Sequence, residues 1–144
     1  MSNDFPASSL VFPAPSGAHL RVGADTVHMP RIAASLAQFG DRFLARLYSA
    51  EEAHYCRAAP SHTVERVAVR FAAKEAVIKA LNLAESGVNW RDIEVLRQPD
   101  GHCELALHGR AAARARDLGV IDAALSLSHD GDQALAFVVC LLAG

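Results

Sequence analysis

The chain is short of the features that would announce a class at once. It has three cysteines, Cys56, Cys103 and Cys140, and no Cys-x-x-Cys pair. That argues against a disulfide framework and for a reducing compartment. No run approaches the roughly 18 apolar residues that a membrane span requires. The first residues, MSNDFPASSLVFPAPSGAH, have neither the basic start nor the apolar stretch of a signal peptide, so the cytoplasm is the expected location. Charge is nearly balanced, with 14 Lys and Arg against 16 Asp and Glu. Nothing global therefore draws the chain to nucleic acid or to an anionic membrane. There is no Gly-x-Ser-x-Gly elbow, and the seven histidines lack paired ligand spacing, which weighs against a serine hydrolase and a zinc site.

What is present fits one globular domain. Of 144 residues, 51% are hydrophobic, enough for a substantial core. Residues 1–18, rich in Pro, Ser and Ala, read as a loose extension, and residues 19–144 as the domain. Leu20, Val22 and Ala24 alternate with Arg21, Gly23 and Asp25, a strand signal. Pro30 suits the first turn of a helix, and Ile32, Leu36, Phe39, Phe43 and Leu47 continue at helical spacing, with Gly40 as a break or kink. Ser49 and Glu52 form a capping-box pattern for a short helix that ends by Pro60. Ser61 or Thr63 is the expected cap of a long helix running to about Leu83. Residues 84–91 read as a loop. Ile93 and Val95, a Pro-Asp-Gly turn, then Leu105 and Leu107 predict a hairpin. An Ala/Arg helix stops at Gly119, and a second hairpin turns at Asp130-Gly131. The order strand, three helices, hairpin, helix, hairpin predicts an α+β domain, a mainly antiparallel sheet packed against helices.

The long helix carries an anomaly. Val64, Val67, Phe71, Ile78 and Leu81 step along one face, and Glu75 lies only about 40° from Phe71 around the axis. An unpaired carboxylate on a buried face costs several kcal/mol, so a cation or hydrogen bonds should meet it. A surface ion pair with Lys79, at i+4, is the plainer reading. Arg70 and Lys74 lie towards the other edge of the stripe. One inward carboxylate with Arg70, Lys74 and Lys79 around it suits a metal–phosphate cluster. Asp25, at a strand end just before a helix, is a turn aspartate or a second carboxylate for a cation. Two carboxylates with phosphate oxygens and water suit Mg2+. Ser126 and Ser128 share a strand face in SLSHDGD, with His129, Asp130 and Asp132 around the turn; turn chemistry alone explains Asp130-Gly131.

These residues resemble one family. RFAAKEAVIKAL (Arg70 to Leu81) is very close to the signature helix of the small holo-acyl-carrier-protein synthase group of 4′-phosphopantetheinyl transferases. GADTVHMPRI (Gly23 to Ile32) is similar to its opening G-x-D-x-x-E-x-x-R. FGDRFLARLYSAEE, DIEV, L-x-G-x-A (Leu107, Gly109, Ala111) and SLSHD follow in the family's order, across about residues 20–140. The resemblance implies the phosphopantetheinyl transferase fold. It also implies transfer of phosphopantetheine from coenzyme A, with Mg2+, to a serine of an apo acyl carrier protein, releasing adenosine 3′,5′-bisphosphate. By the same match, the active sites lie between the subunits of a homotrimer. Asp25 and Glu75 would hold Mg2+, and Lys79 would contact the phosphates. Arg70 and Lys74 would join it in coenzyme binding. Ser128 and His129 would line the coenzyme pocket from a neighbouring subunit. Arg31, with His28 and Arg42, would face the acidic carrier.

The chain departs from the pattern at four places. His28 replaces the usual Glu, Asn82 a glycine, and Cys103 a proline, and the extension is long. These departures leave open a specialised carrier, such as one of polyketide or secondary-lipid synthesis, beside the fatty-acid carrier. They also motivate a second reading, a non-catalytic trimeric paralogue that binds carrier or coenzyme A without turnover.

Overall fold

A computed structural model of the chain describes residues 6–10, 19–85 and 87–143. Most of the expected extension, residues 1–5 and 11–18, lies outside them. The elements are β1 (Leu20–His28), α1 (Met29–Phe39), α2 (Asp41–Leu47), α3 (Ala50–Arg57), α4 (Thr63–Leu81), β2 (Ile93–Arg97), β3 (Cys103–Leu107), α5 (Gly109–Leu118), β4 (Val120–Asp130) and β5 (Gln133–Leu142). β1, β5 and β4 form an antiparallel sheet in that order, and β2 and β3 form a separate hairpin. The α+β arrangement is the expected one. Four helices rather than three precede the hairpin, because Gly40 takes φ 57°, ψ −134° and divides α1 from α2.

Local chemistry accounts for most boundaries. Pro30 enters α1 in its first turn. The Ser49–Glu52 capping box is fully formed, each side chain bonded to the other residue's backbone N–H. The cap expected for α4 is not. His62 is the N-cap residue, without a side-chain cap, and the Thr63 hydroxyl donates instead to the Cys56 carbonyl, 2.8 Å away. At the other end Asn82 adopts φ 55°, ψ 54° and closes α4 in the left-handed conformation. Asn tolerates this better than most residues, so it does here what the family's glycine would do.

α4 is the centre of the molecule. The sheet packs on one side, while α1, α3, α5 and β2 pack on others. Burial therefore extends nearly all round it, and no single stripe describes it. Phe71 and Ile78, leading members of the expected stripe, are only half-buried; Ala72, Ala73 and Ala76 are fully buried. Hydropathy also misleads about β1. Gly23 and Val27 are buried on its inner face and Asp25 half-buried, while Leu20 and Val22 point outward.

Lys74 is sealed in this centre. Its ammonium donates to Glu52 Oε1 (2.8 Å), to the Trp90 carbonyl (3.0 Å) and to the Ile93 carbonyl. Glu52 also accepts from the Val95 N–H at 3.0 Å. The pair ties α3, α4 and β2 together with every ammonium proton satisfied. Removing one partner of such a pair strands the other charge, at about 3–5 kcal/mol. Lys74→Met should therefore lower the unfolding free energy by about that amount in urea denaturation. A change under about 1 kcal/mol, the range of an exposed pair, would contradict the reading.

Candidate active site

β1 and α4 bring the two predicted carboxylates together. Alternation along β1 turns Asp25 towards α4, between Gly23 and Val27. Glu75, on the α4 edge beside Phe71, meets it in a carboxyl–carboxyl hydrogen bond. Lys79, one turn on from Glu75, places its ammonium 2.9 Å from Asp25 Oδ1 and 3.2 Å from the Ala24 carbonyl. The ammonium is mostly exposed and the aspartate mostly covered, with side-chain exposures of 55% and 15%.

Two carboxyls in contact cannot both ionise freely. The bond to Asp25, then burial, then the Asp25 charge push Glu75 up to about 7. Burial also pushes Asp25 upward, but its bonds to Glu75 and Lys79 and the Lys79 charge outweigh this and leave it below its ordinary value. The bond to Asp25 holds Lys79 above its ordinary value. The pair thus keeps a proton where a cation could sit. Its donor set is oxygen-only and partly open, which fits a hard cation such as Mg2+. Among the described residues no cluster of three or more His, Cys, Asp or Glu could hold a metal. Asp25 and Glu75 could offer such a cation two carboxylate ligands.

The carboxylates open into a cavity of about 310 Å3, which Arg31, His28, Ser35 and Phe43 also line. No motif marks Ser35; its one signal is its place four residues after Arg31, on the same face of α1. Phe71 stacks on Phe43, with ring centroids 6.4 Å apart, and meets Trp90 in a tilted contact at 4.9 Å. Arg42 lies outside this cavity. It lines an adjoining groove of about 410 Å3 with Phe39, Phe43, Arg46 and Leu47, and Phe43 belongs to both.

Other candidates lie elsewhere. Lys74, 100° round the helix from Glu75, has all its donors occupied in the core and is not brought to the carboxylates. Arg70 is 3% exposed, with its guanidinium 4.5 Å from the Tyr55 ring, beside Arg66 at 4.0 Å and Arg97 at 5.7 Å. Its buried Nε has no partner among the described residues. Arg70, Tyr55 and Arg97 line a second cavity of about 410 Å3. Ser128 and His129 are also distant within one chain. His129 Nε2 is 3.8 Å from Glu65, and Glu65 precedes Glu75 by ten residues, about 15 Å along the axis. Ser128 projects from the outer face of the sheet, beside Leu135.

The fold and this pair of carboxylates define a class. The chain belongs to the 4′-phosphopantetheinyl transferase superfamily, whose family model matches residues 21–138. Within it, the chain is similar to holo-[acyl-carrier-protein] synthases. It is 47% identical to that of Koribacter versatilis over 121 residues, 83% of this chain and 96% of the relative. It is 46% identical to that of Gloeobacter violaceus over 118 residues, 82% and 89% of the two chains. The solved "Chronobacterium ammoniagenes ACPS-CoA complex" superposes with a TM-score of 0.76 at 35% identity, covering 87% of this chain and 98% of that one.

The raised Glu75 predicts a pH signature. Its proton-linked stability is fully present below about 4.5 and is lost as pH rises through about 7. Metal-free protein should therefore lose thermal stability between those values, a dependence that Glu75→Gln removes. Mg2+, competing with the proton, should raise Tm more at pH 8 than at pH 6. An equal Mg2+ response at both values in a thermal-shift titration would contradict the shared site.

Proposed function

We propose that this chain transfers 4′-phosphopantetheine from coenzyme A to a serine of an apo acyl carrier protein, releasing adenosine 3′,5′-bisphosphate. The observation that carries this is the Asp25–Glu75 pair, with Lys79 at its rim, opening into a cavity that a surface arginine shares. Asp25 and Glu75 would hold Mg2+, which when bound supplies charge neutralisation for the pyrophosphate. Lys79 would bind and orient the phosphates, since phosphoryl-type transfer is mainly positioning and electrostatics. Arg70, in its cavity with Tyr55 and Arg97, would meet a further coenzyme phosphate. Lys74 is withdrawn from this set and serves the fold. Arg31 and His28 at the cavity mouth, and Arg42 in the adjoining groove, would receive the acidic carrier.

We also propose a homotrimer with sites between subunits. The sheet face turned away from α4 exposes Leu20, Val22, Leu135, Phe137, Val139 and Leu141, with Val22 at 61%. Leu20 pairs with Leu141 and Val22 with Val139, so the patch is continuous. Such a patch favours burial against another copy. Ser128 stands on this same face, a position from which it could complete a neighbour's coenzyme pocket, with His129 next to it at the strand end.

The test is incubation with coenzyme A, Mg2+ and apo carrier protein, read by mass spectrometry. The phosphopantetheine increment should appear on the carrier serine; its absence with several carriers would favour binding without turnover. Glu75→Ala should lower kcat/KM by roughly a thousandfold, as loss of a charge clamp worth several kcal/mol requires, while the protein stays folded. Arg31→Glu should raise KM for the carrier and leave KM for coenzyme A nearly unchanged. Phe137→Asp should shift sedimentation from trimer to monomer and abolish transfer. A monomeric wild-type chain that transfers at full rate would contradict the shared site.

A further inference from the structure

Next to the carboxylates, β1 lies unusually close to α4. At Gly23 a Cβ would fall 1.9 Å from the Ala76 carbonyl oxygen and 3.1 Å from Ala80 Cβ. The first distance is to helix backbone, which cannot rotate aside. Gly23 is not among the residues with positive φ, so the glycine is needed for space rather than for conformation. Ala76 and Ala80, both buried, complete the close approach from the helix side.

This contact is next to the reactive pair on both elements. Gly23 precedes Asp25 by two residues on the same strand face, about 7 Å along the strand. Ala76 follows Glu75 directly. Asp25 has one methylene with which to reach across the interface. A strand held further out would leave the short carboxylate short of Glu75, while fold and helix stayed recognisable.

We infer that Gly23 is a positioning residue for the transfer: its missing side chain sets the strand-to-helix distance at which Asp25 and Glu75 form one site. The inference rests on the reading of that pair as the Mg2+ site. Gly23 is buried against α4, and on this inference it acts through the two carboxylates. Ala80 contributes from the other side of the same contact, and a larger residue there would also drive the strand outward.

Calorimetric Mg2+ titration of Gly23→Ala, Ala80→Val, Asp25→Glu and each combination with Asp25→Glu tests this. Gly23→Ala should bind Mg2+ at least tenfold more weakly than wild type. Adding Asp25→Glu should recover a measurable part of that loss, because the longer carboxylate spans the widened gap. On the wild-type background the same Asp25→Glu should weaken binding. If Gly23→Ala does not fold, Ala80→Val carries the same expectation with a smaller displacement. Unchanged Mg2+ affinity in a folded wedge variant, or no recovery with Asp25→Glu, would overturn the role. Should wild type itself fail to bind Mg2+, the metal reading fails, and a crystal structure of the metal-free wedge variant decides positioning separately. Separated Asp25 and Glu75 carboxyls support it; carboxyls still hydrogen-bonded overturn it.

Discussion

The buried ion pair between Glu52 and Lys74 is the constraint on which the rest of the molecule depends. It lies in the one region where α3, α4 and the β2 strand all meet. A lysine with no exposed surface is tolerable only because each of its donors is satisfied, and Glu52 is held in place by its own capping box. That arrangement fixes the rotation of α4. With the helix fixed, the residue following Lys74 can face only one way, and it faces Asp25. Two adjacent charged residues thus have opposite duties. Lys74 is a closed structural charge, and Glu75 is an open one that needs a proton or a cation.

The electrostatics of the site follow from that openness. The protein holds two carboxyls closer than their charges allow and sets a lysine against one of them. The strain is modest because Glu75 keeps its proton until about pH 7. On the proposed function it would become useful with a divalent cation and a pyrophosphate, since the cation needs oxygen ligands and the phosphates need a counter-charge. Phe43 and Phe71 give the cavity an apolar side beside the carboxyls, and Trp90 packs against Phe71. On the same proposal the adjoining groove, with Arg42 and Arg46, would receive an acidic partner at this mouth.

Much of this could be read from the sequence, for definable reasons. Gly40, Pro30, the Ser49–Glu52 box and both hairpin turns act through local backbone chemistry, and each formed at or near its expected place. The Glu75 anomaly was visible, although the stripe behind it was not the true one; a helix buried on nearly all sides has no single apolar face. The sequence sets Lys74 beside Glu75 as a site cation because nothing local reveals that Glu52, 22 residues earlier, is its partner. Alternation marks β1 as a strand, but hydropathy does not show which face is buried, since its outward leucine and valine belong to a surface that one chain leaves uncovered. Nothing local signals the missing cap of α4, because Thr63 bonds to the Cys56 carbonyl at the end of α3 instead of the helix amides. Asn82, a departure from the family pattern, proved conformationally conservative.

The central claim is that Asp25 and Glu75 share one divalent cation. It is tested most directly by the crystal structure of the protein with coenzyme A and Mn2+, a stand-in for Mg2+ located by anomalous scattering. The account predicts an anomalous peak within ligand distance of a carboxylate oxygen from each residue and of the coenzyme pyrophosphate. A peak elsewhere, with Asp25 and Glu75 still hydrogen-bonded to each other, would contradict it.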